Sequence, residues 1–308
     1  MLRELLDKAD ENEDFDQDLH DRILRLLDET PADKLSLTEK FRSSQYLQNA
    51  VLYIAKKNEW SAVTTRPDGK GGRLEEKVVD EVRLPFEMAA LHKIQDTLRY
   101  SPALGQWIAA QRDRFAARLM NDESFRERLL DWDKSTAEQK QQLLQDIVAL
   151  HMTAYDGPAG VTIPVPPVQI NDELKGPCAV THNQLGEESE KIIPGVLSID
   201  VSPDLRDLPK SYLPLKLVYH ESVHALITQL AAARARGTLA PDDPLYGDAS
   251  LALADRLYGC ATPLIRSVYE NDMEEKFVYG CEHEFGDSLM EQVAARHKKA
   301  PPAPALAA

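Results

Sequence analysis

Between Pro214 and Gly237 the chain runs for 22 residues, 215–236, with neither proline nor glycine. Proline is tolerated only at the start of a helix and glycine is the usual residue just past its end, so this stretch predicts one long α-helix. Leu215, Leu217, Val218, Val223, Ala225, Leu226 and Ile227 are spread around that helix instead of along one stripe. A helix apolar on several sides has to be enclosed, so the rest of the fold must wrap around it. At its middle stands His220-Glu221-Ser222-Val223-His224. Residues four apart share a helix face, so both imidazoles can reach one metal ion while Glu221 reaches a water on it. Two incidental surface histidines would have polar neighbours. Two imidazoles and a carboxylate among apolar residues instead require a compensating partner.

The chain on either side has two textures. From 1 to 155 it is helical in period and rich in charge. Phe15, Leu19, Ile23, Leu26 and Leu27 form one stripe within 13–29, and Ser36 with Glu39 reads as a capping box opening a further helix. Residues 63–73, with Pro67, Gly69, Gly71 and Gly72, read as a turn or loop. Helices are expected at 84–100, 102–120 and 121–132, and a second capping box, Ser135 with Glu138, opens one through Leu150. After Asp156-Gly157-Pro158 the text changes. Short β-branched or apolar segments appear at 161–170, 178–182 and 196–201, with prolines 164, 166 and 167 pushing the first toward a sheet edge. Helices return at 251–269 and 271–296, and 300–308 is a Pro/Ala-rich tail expected to be disordered. The expected organisation is therefore a helical N-terminal region, 1–155, a second domain, 156–299, and the tail.

Charge and cysteine content narrow the function classes. The 308 residues carry 36 Lys and Arg against 51 Asp and Glu, a net charge of −15. That balance repels a phosphate backbone and offers no counterion-release driving force, so nucleic acid is not an expected partner. Three cysteines, 178, 260 and 281, have no CxxC spacing and leave one unpaired, which suits a reducing compartment. Residues 1–15 contain no uninterrupted apolar run of the secretory kind, and no stretch approaches the ~20 apolar residues of a membrane-spanning helix. A cytoplasmic chain without membrane attachment is expected, and signal-less, effector-like export is compatible with it.

A strand, an HExxH helix and a later helix with an acidic residue resemble the zincin metallopeptidases, and more narrowly the gluzincins. The resemblance covers roughly 160–290 and rests on His220, Glu221 and His224. It implies a predominantly helical α+β fold, with a small mixed or antiparallel sheet packed on the motif helix. It also implies zinc as cofactor, His220 and His224 as ligands, Glu221 as general base, a glutamate on a following helix as third ligand, and a peptide or protein as substrate. The edge strand before the motif helix, here 196–201, would line the cleft and pair with an extended peptide.

Helical geometry selects the third ligand. Taking about 100° per residue, Glu274 falls in the centre of the sector occupied by Met273, Phe277, Cys281 and Phe285, with Glu270 one turn earlier. A carboxylate centred on an apolar stripe calls for a cation, so Glu274 is the expected ligand, with Glu275 and Glu270 as alternatives. Glu275 and Glu282 point the other way and read as a solvated face. The segment Asp243-Pro244-Leu245-Tyr246-Gly247 also resembles the DxxYG element of the aspzincins, which would make Asp243 the ligand. Tyr269 is the expected donor to the oxyanion of a tetrahedral intermediate, chosen from a set that includes Tyr246, Tyr258, Tyr279 and His283. The competing function is a catalytically inactive binding or regulatory protein that keeps the zincin scaffold and uses its metal structurally.

Overall fold

The computed structural model describes residues 1–12, 14–68, 71–155, 157–158, 161–259, 262–283 and 285. The tail at 300–308 and the extension of the last helix to 296 lie outside the described residues.

Four helices begin the chain: α1 (Leu2–Glu11), α2 (Gln17–Glu29), α3 (Leu37–Lys57) and α4 (Pro85–Gln95). They close over Leu5, Leu6, Ile23, Leu27, Leu47, Leu91 and Ile94. The Ser36–Glu39 capping box forms as expected, satisfying orphan N–H groups at both ends of its reciprocal pair. Between α3 and α4 lies a hairpin, β1 (Ser61–Pro67) and β2 (Arg73–Val79), where the sequence predicts only a turn or loop. Its strands are largely exposed and carry Thr, Arg, Glu and Lys in place of alternating apolar residues, so the period-two signal is weak.

Next come α5 (Pro102–Asn121), α6 (Glu123–Leu130) and α7 (Ala137–Met152). The capping box of α7 is Thr136 with Gln139, one residue after the expected Ser135–Glu138 pair. Ser135 is taken up by the preceding tight turn, where its N–H donates to the Trp132 carbonyl.

Strands β3 (Val168–Ile170), β4 (Ala179–Glu188) and β5 (Lys191–Val201) form a sheet in the order β3-β5-β4, β3 parallel and β4 antiparallel to β5. The prolines keep 161–167 out of the sheet and leave β3 as a three-residue edge. The expected edge strand, 196–201, is instead part of the central strand β5, because β3 pairs on its far side and Ile199 and Val201 are fully buried. The edge beside the motif helix is β4, whose register on β5 shifts between His182 and Asn183, leaving Leu197 of β5 as the extra residue of a bulge. Bulges of this kind commonly re-aim side chains next to functional sites.

After a short helix, α8 (Pro203–Arg206), the long helix α9 spans Tyr212–Arg236, with Pro214 in its first turn and Gly237 closing it at φ +76°. A left-handed φ strains most residues but suits glycine. Helices α10 (Tyr246–Tyr258), α11 (Arg266–Glu270) and α12 (273–283) complete the described chain. The helix expected over 251–269 is split into α10 and α11 by the segment around Gly259 and Pro263.

Helix α9 is enclosed by β4, β5, α7 and α10, and Val218, Tyr219, Val223, Leu226 and Ile227 are all fully buried. Their cluster includes Leu104, Ile108, Phe115, Leu144, Ile147 and Val148, so the main core runs across the boundary expected at 155. Two hydrogen bonds add to this junction: Trp132 Nε1 donates to the Leu208 carbonyl (2.8 Å) and Ser211 Oγ to the Leu129 carbonyl (3.0 Å). The class is the predominantly helical α+β arrangement expected, with a small mixed sheet on the motif helix. Among the described residues no helix is long and apolar enough to cross a membrane.

Candidate metal centre

His220 and His224 lie one turn apart on α9, and their Nε2 atoms approach to 3.2 Å. Two nitrogens bound tetrahedrally to one zinc at about 2.05 Å stand about 3.3 Å apart, so the rings are already set for a shared ion. Glu275 supplies the third donor. Its Oε2 is 3.6 Å from His220 Nε2 and its Oε1 is 3.7 Å from His224 Nε2. His220, His224 and Glu275 each offer a ligand atom within 4.8 Å of the others. Glu275 Oε2 is buried without a hydrogen-bond partner, an arrangement that disfavours folding unless a cation or donor meets it.

Glu274, the expected third ligand, is directed elsewhere. Its Oε1 lies 2.6 Å from His224 Nδ1 and also accepts from Arg256 Nη2, and its Oε2 accepts from the Tyr100 hydroxyl at 3.0 Å. Three donors consume this carboxylate on the side of His224 away from His220. The cap of α12 explains the division between the neighbours. Asp272 Oδ1 accepts from the N–H groups of both Glu274 (2.9 Å) and Glu275 (3.1 Å), fixing the first turn so that successive side chains diverge by about 100°. One carboxylate then meets the Nδ1 side of His224 and the other the Nε2 side.

His220 has a matching support. Glu282 Oε2 lies 2.7 Å from its Nδ1, and Glu282 Oε1 is 2.8 Å from Lys216 Nζ. Glu282 is 4% exposed and so is not the solvated residue expected from its own helix alone. Each imidazole thus has Nδ1 held by a carboxylate and Nε2 facing its partner, the pattern that fixes ring orientation and raises ligand basicity in metal sites. Tyr279 packs edge-on against His220 with ring centroids 4.7 Å apart.

Glu221 points toward the edge strand. Its Oε2 accepts from Thr181 N–H (2.7 Å) and lies 2.8 Å from Thr181 Oγ1. Burial raises its pKa above the ordinary carboxylate value, against the opposing pull of His224 and His220. Burial also acts on His220, but Glu275 and Glu282 outweigh it and lift the ring to about 9. His224 is raised by Glu274 against the same opposition. For Glu274 burial is overcome by Arg256 and His224, which hold it at about 2. Glu275 is likewise held low, despite burial, by the two histidines and Tyr269.

Glu221, His224, Glu274 and Glu275 line a cleft of about 290 Å³ together with Ala179, Thr181 and Asn183 of β4. Tyr269 is in its wall, beside Glu275. The other candidates fall outside the three-donor group. Glu270 pairs with Arg266 (2.7 Å), and Asp243 Oδ1 accepts from Leu245 N–H (2.8 Å) in the turn before α10. Tyr246 stacks under Arg234, Tyr258 packs on the cluster around Phe41, and His283 is exposed. Sequence reasoning misses Thr181, Arg256, Lys216, Glu282 and Tyr100. Lys216 and Arg256 leave some trace: the first lies four residues before His220, and the second follows an otherwise apolar run, 251–254.

Comparison of the chain with protein-family models, with curated proteins and with solved structures returned no match.

Proposed function

We propose that this chain is a zinc-dependent metallopeptidase. His220, His224 and Glu275 would hold the ion through nitrogen and oxygen donors suited to Zn²⁺, leaving room for a water or a substrate carbonyl. When bound, the ion supplies Lewis acidity and lowers the pKa of its water toward about 7. Glu221 then accepts the proton of the attacking water and returns it to the leaving amine. Its burial, which raises its pKa, suits a group that must both take and give a proton near neutrality. Strand β4, an open edge along the cleft, receives an extended peptide by strand addition.

The observation that carries this reading is the approach of donor atoms of His220, His224 and Glu275 to within 4.8 Å of one another, with Glu275 Oε2 buried and without a hydrogen-bond partner, beside the cleft that Glu221 lines. Full-length protein purified without an affinity tag should contain one zinc per chain and hydrolyse members of a peptide library. Glu221→Gln should keep the zinc and lose at least ~10²-fold in turnover. Unchanged turnover in that variant would defeat the mechanism. The second reading, a binding or regulatory protein with a structural metal, draws on the engagement of Glu221 by Thr181. It requires stoichiometric metal with no turnover on any peptide.

A further inference from the structure

We propose that Arg256 is a positioning residue that locks the orientation of the ligand His224 and ties it to the substrate-binding edge strand β4, an inference that rests on the metallopeptidase reading. Arg256 projects from α10, an element that contributes no ligand. Its Nη2 donates to Glu274 Oε1, the same oxygen that lies 2.6 Å from His224 Nδ1. Its Nε donates to Thr228 Oγ1 at 3.0 Å, and its Nη1 lies 2.9 Å from Asp255 Oδ2. Thr228 Oγ1 is in turn 3.1 Å from Asn183 Oδ1 on β4 and 3.0 Å from the His224 carbonyl, and can give its single proton to either.

One planar guanidinium therefore spans the carboxylate behind a ligand and the hydroxyl that meets the edge strand. A guanidinium presents its donors in a fixed fork, so moving one contact moves the other, which a lysine could not enforce. The second histidine is supported from other elements. The Glu282 behind His220 is met by Lys216 from α9 itself. The two histidines are thus supported from different elements, and His224 is connected through Glu274, Arg256 and Thr228 to the strand where a peptide would lie.

The test uses full-length metal-free protein titrated with Co²⁺, followed by d–d absorption and chelator competition, with thermal unfolding of each metal-free variant in parallel. Arg256→Gln should weaken Co²⁺ binding 10–100-fold, the range found when the outer support of a ligand is removed, and should shift the d–d bands. Arg256→Lys should recover part of the affinity. Thr228→Val, which keeps the Arg256–Glu274 pair but frees its other end, should give a smaller loss in the same direction. Wild-type affinity and spectrum in both Arg256→Gln and Thr228→Val would overturn the proposal, even if their unfolding temperatures fall, because that marks a purely scaffolding arginine. If Arg256→Gln does not fold, wild-type affinity in Thr228→Val alone overturns it. Failure of the wild type to take up stoichiometric Co²⁺ would remove the metallopeptidase reading and this inference with it. A wild type that binds Co²⁺ beside indifferent variants would remove only the inference.

Discussion

Glu274 and Glu275 are neighbours in the chain yet meet opposite sides of one imidazole: Glu274 Oε1 lies 2.6 Å from His224 Nδ1, and Glu275 Oε1 lies 3.7 Å from His224 Nε2. Their roles separate experimentally. Glu275→Ala should abolish stoichiometric zinc, whereas Glu274→Gln should retain it with affinity reduced 10–100-fold. Metal analysis after dialysis against a graded series of chelator concentrations distinguishes the two, and the reverse order of effects would reassign the third ligand to Glu274.

Metal uptake should depend on pH in a definite direction. In the metal-free protein His220 titrates at about 9, so near pH 7 its ring carries a proton that metal binding must displace. Apparent affinity should therefore rise with pH between about 6 and 9, by up to about tenfold per unit for one displaced proton, and then level off. Calorimetric titration in buffers of different ionisation enthalpy counts the protons released. A count of zero at pH 7 would contradict the assignment.

Acid sensitivity has a separate source in the core. His151 is fully buried between Phe115 and Tyr219, with Nε2 3.1 Å from the Tyr155 hydroxyl, and burial lowers its pKa to about 3. The unfolded chain binds that proton near pH 6.5, so the depressed value contributes stability that is fully present above about 6.5 and is lost on acidification toward 3. The slope should approach roughly 1 kcal/mol per pH unit across that window. Urea unfolding at several pH values should show a shallower acid limb in His151→Phe than in the wild type.

Enclosure of α9 makes its apolar side chains strong determinants of stability. Leu226 is fully buried in the main cluster, and Leu226→Ala should destabilise the protein by about 2–5 kcal/mol through lost transfer energy and the cavity left behind. A loss under 1 kcal/mol in denaturant unfolding would indicate that the helix is not packed on that side.

The legible part of the fold was the part whose signal is local. The run from Pro214 to Gly237 marks α9, and the spacing of His220, Glu221 and His224 marks their common face, because both follow from the helical repeat alone. The hairpin β1–β2 escapes because its exposed, charged strands have little alternation. The choice of Glu274 over Glu275 as third donor fails for a different reason. The apolar sector of α12 does contain Glu274, but burial there is answered by Arg256, Tyr100 and His224, which no single-helix projection can see. Glu282 is read as solvated for want of the same knowledge, since Lys216 and His220 on α9 cover it. The edge strand is misplaced because pairing order is decided by β3, a three-residue strand with little weight in sequence.

The apolar cluster joining Leu104 to Phe285, with the Tyr100 hydroxyl resting on Glu274, also governs how the molecule can be shortened. Trimming at residue 155 would strip α9 of one wall and leave a hydrophobic gap. A fragment that keeps the candidate site has to start upstream of Tyr100, and even there it would lose the early helices that share clusters with Ile265, Val268 and Met273, so the polypeptide resists shortening from its N-terminal side.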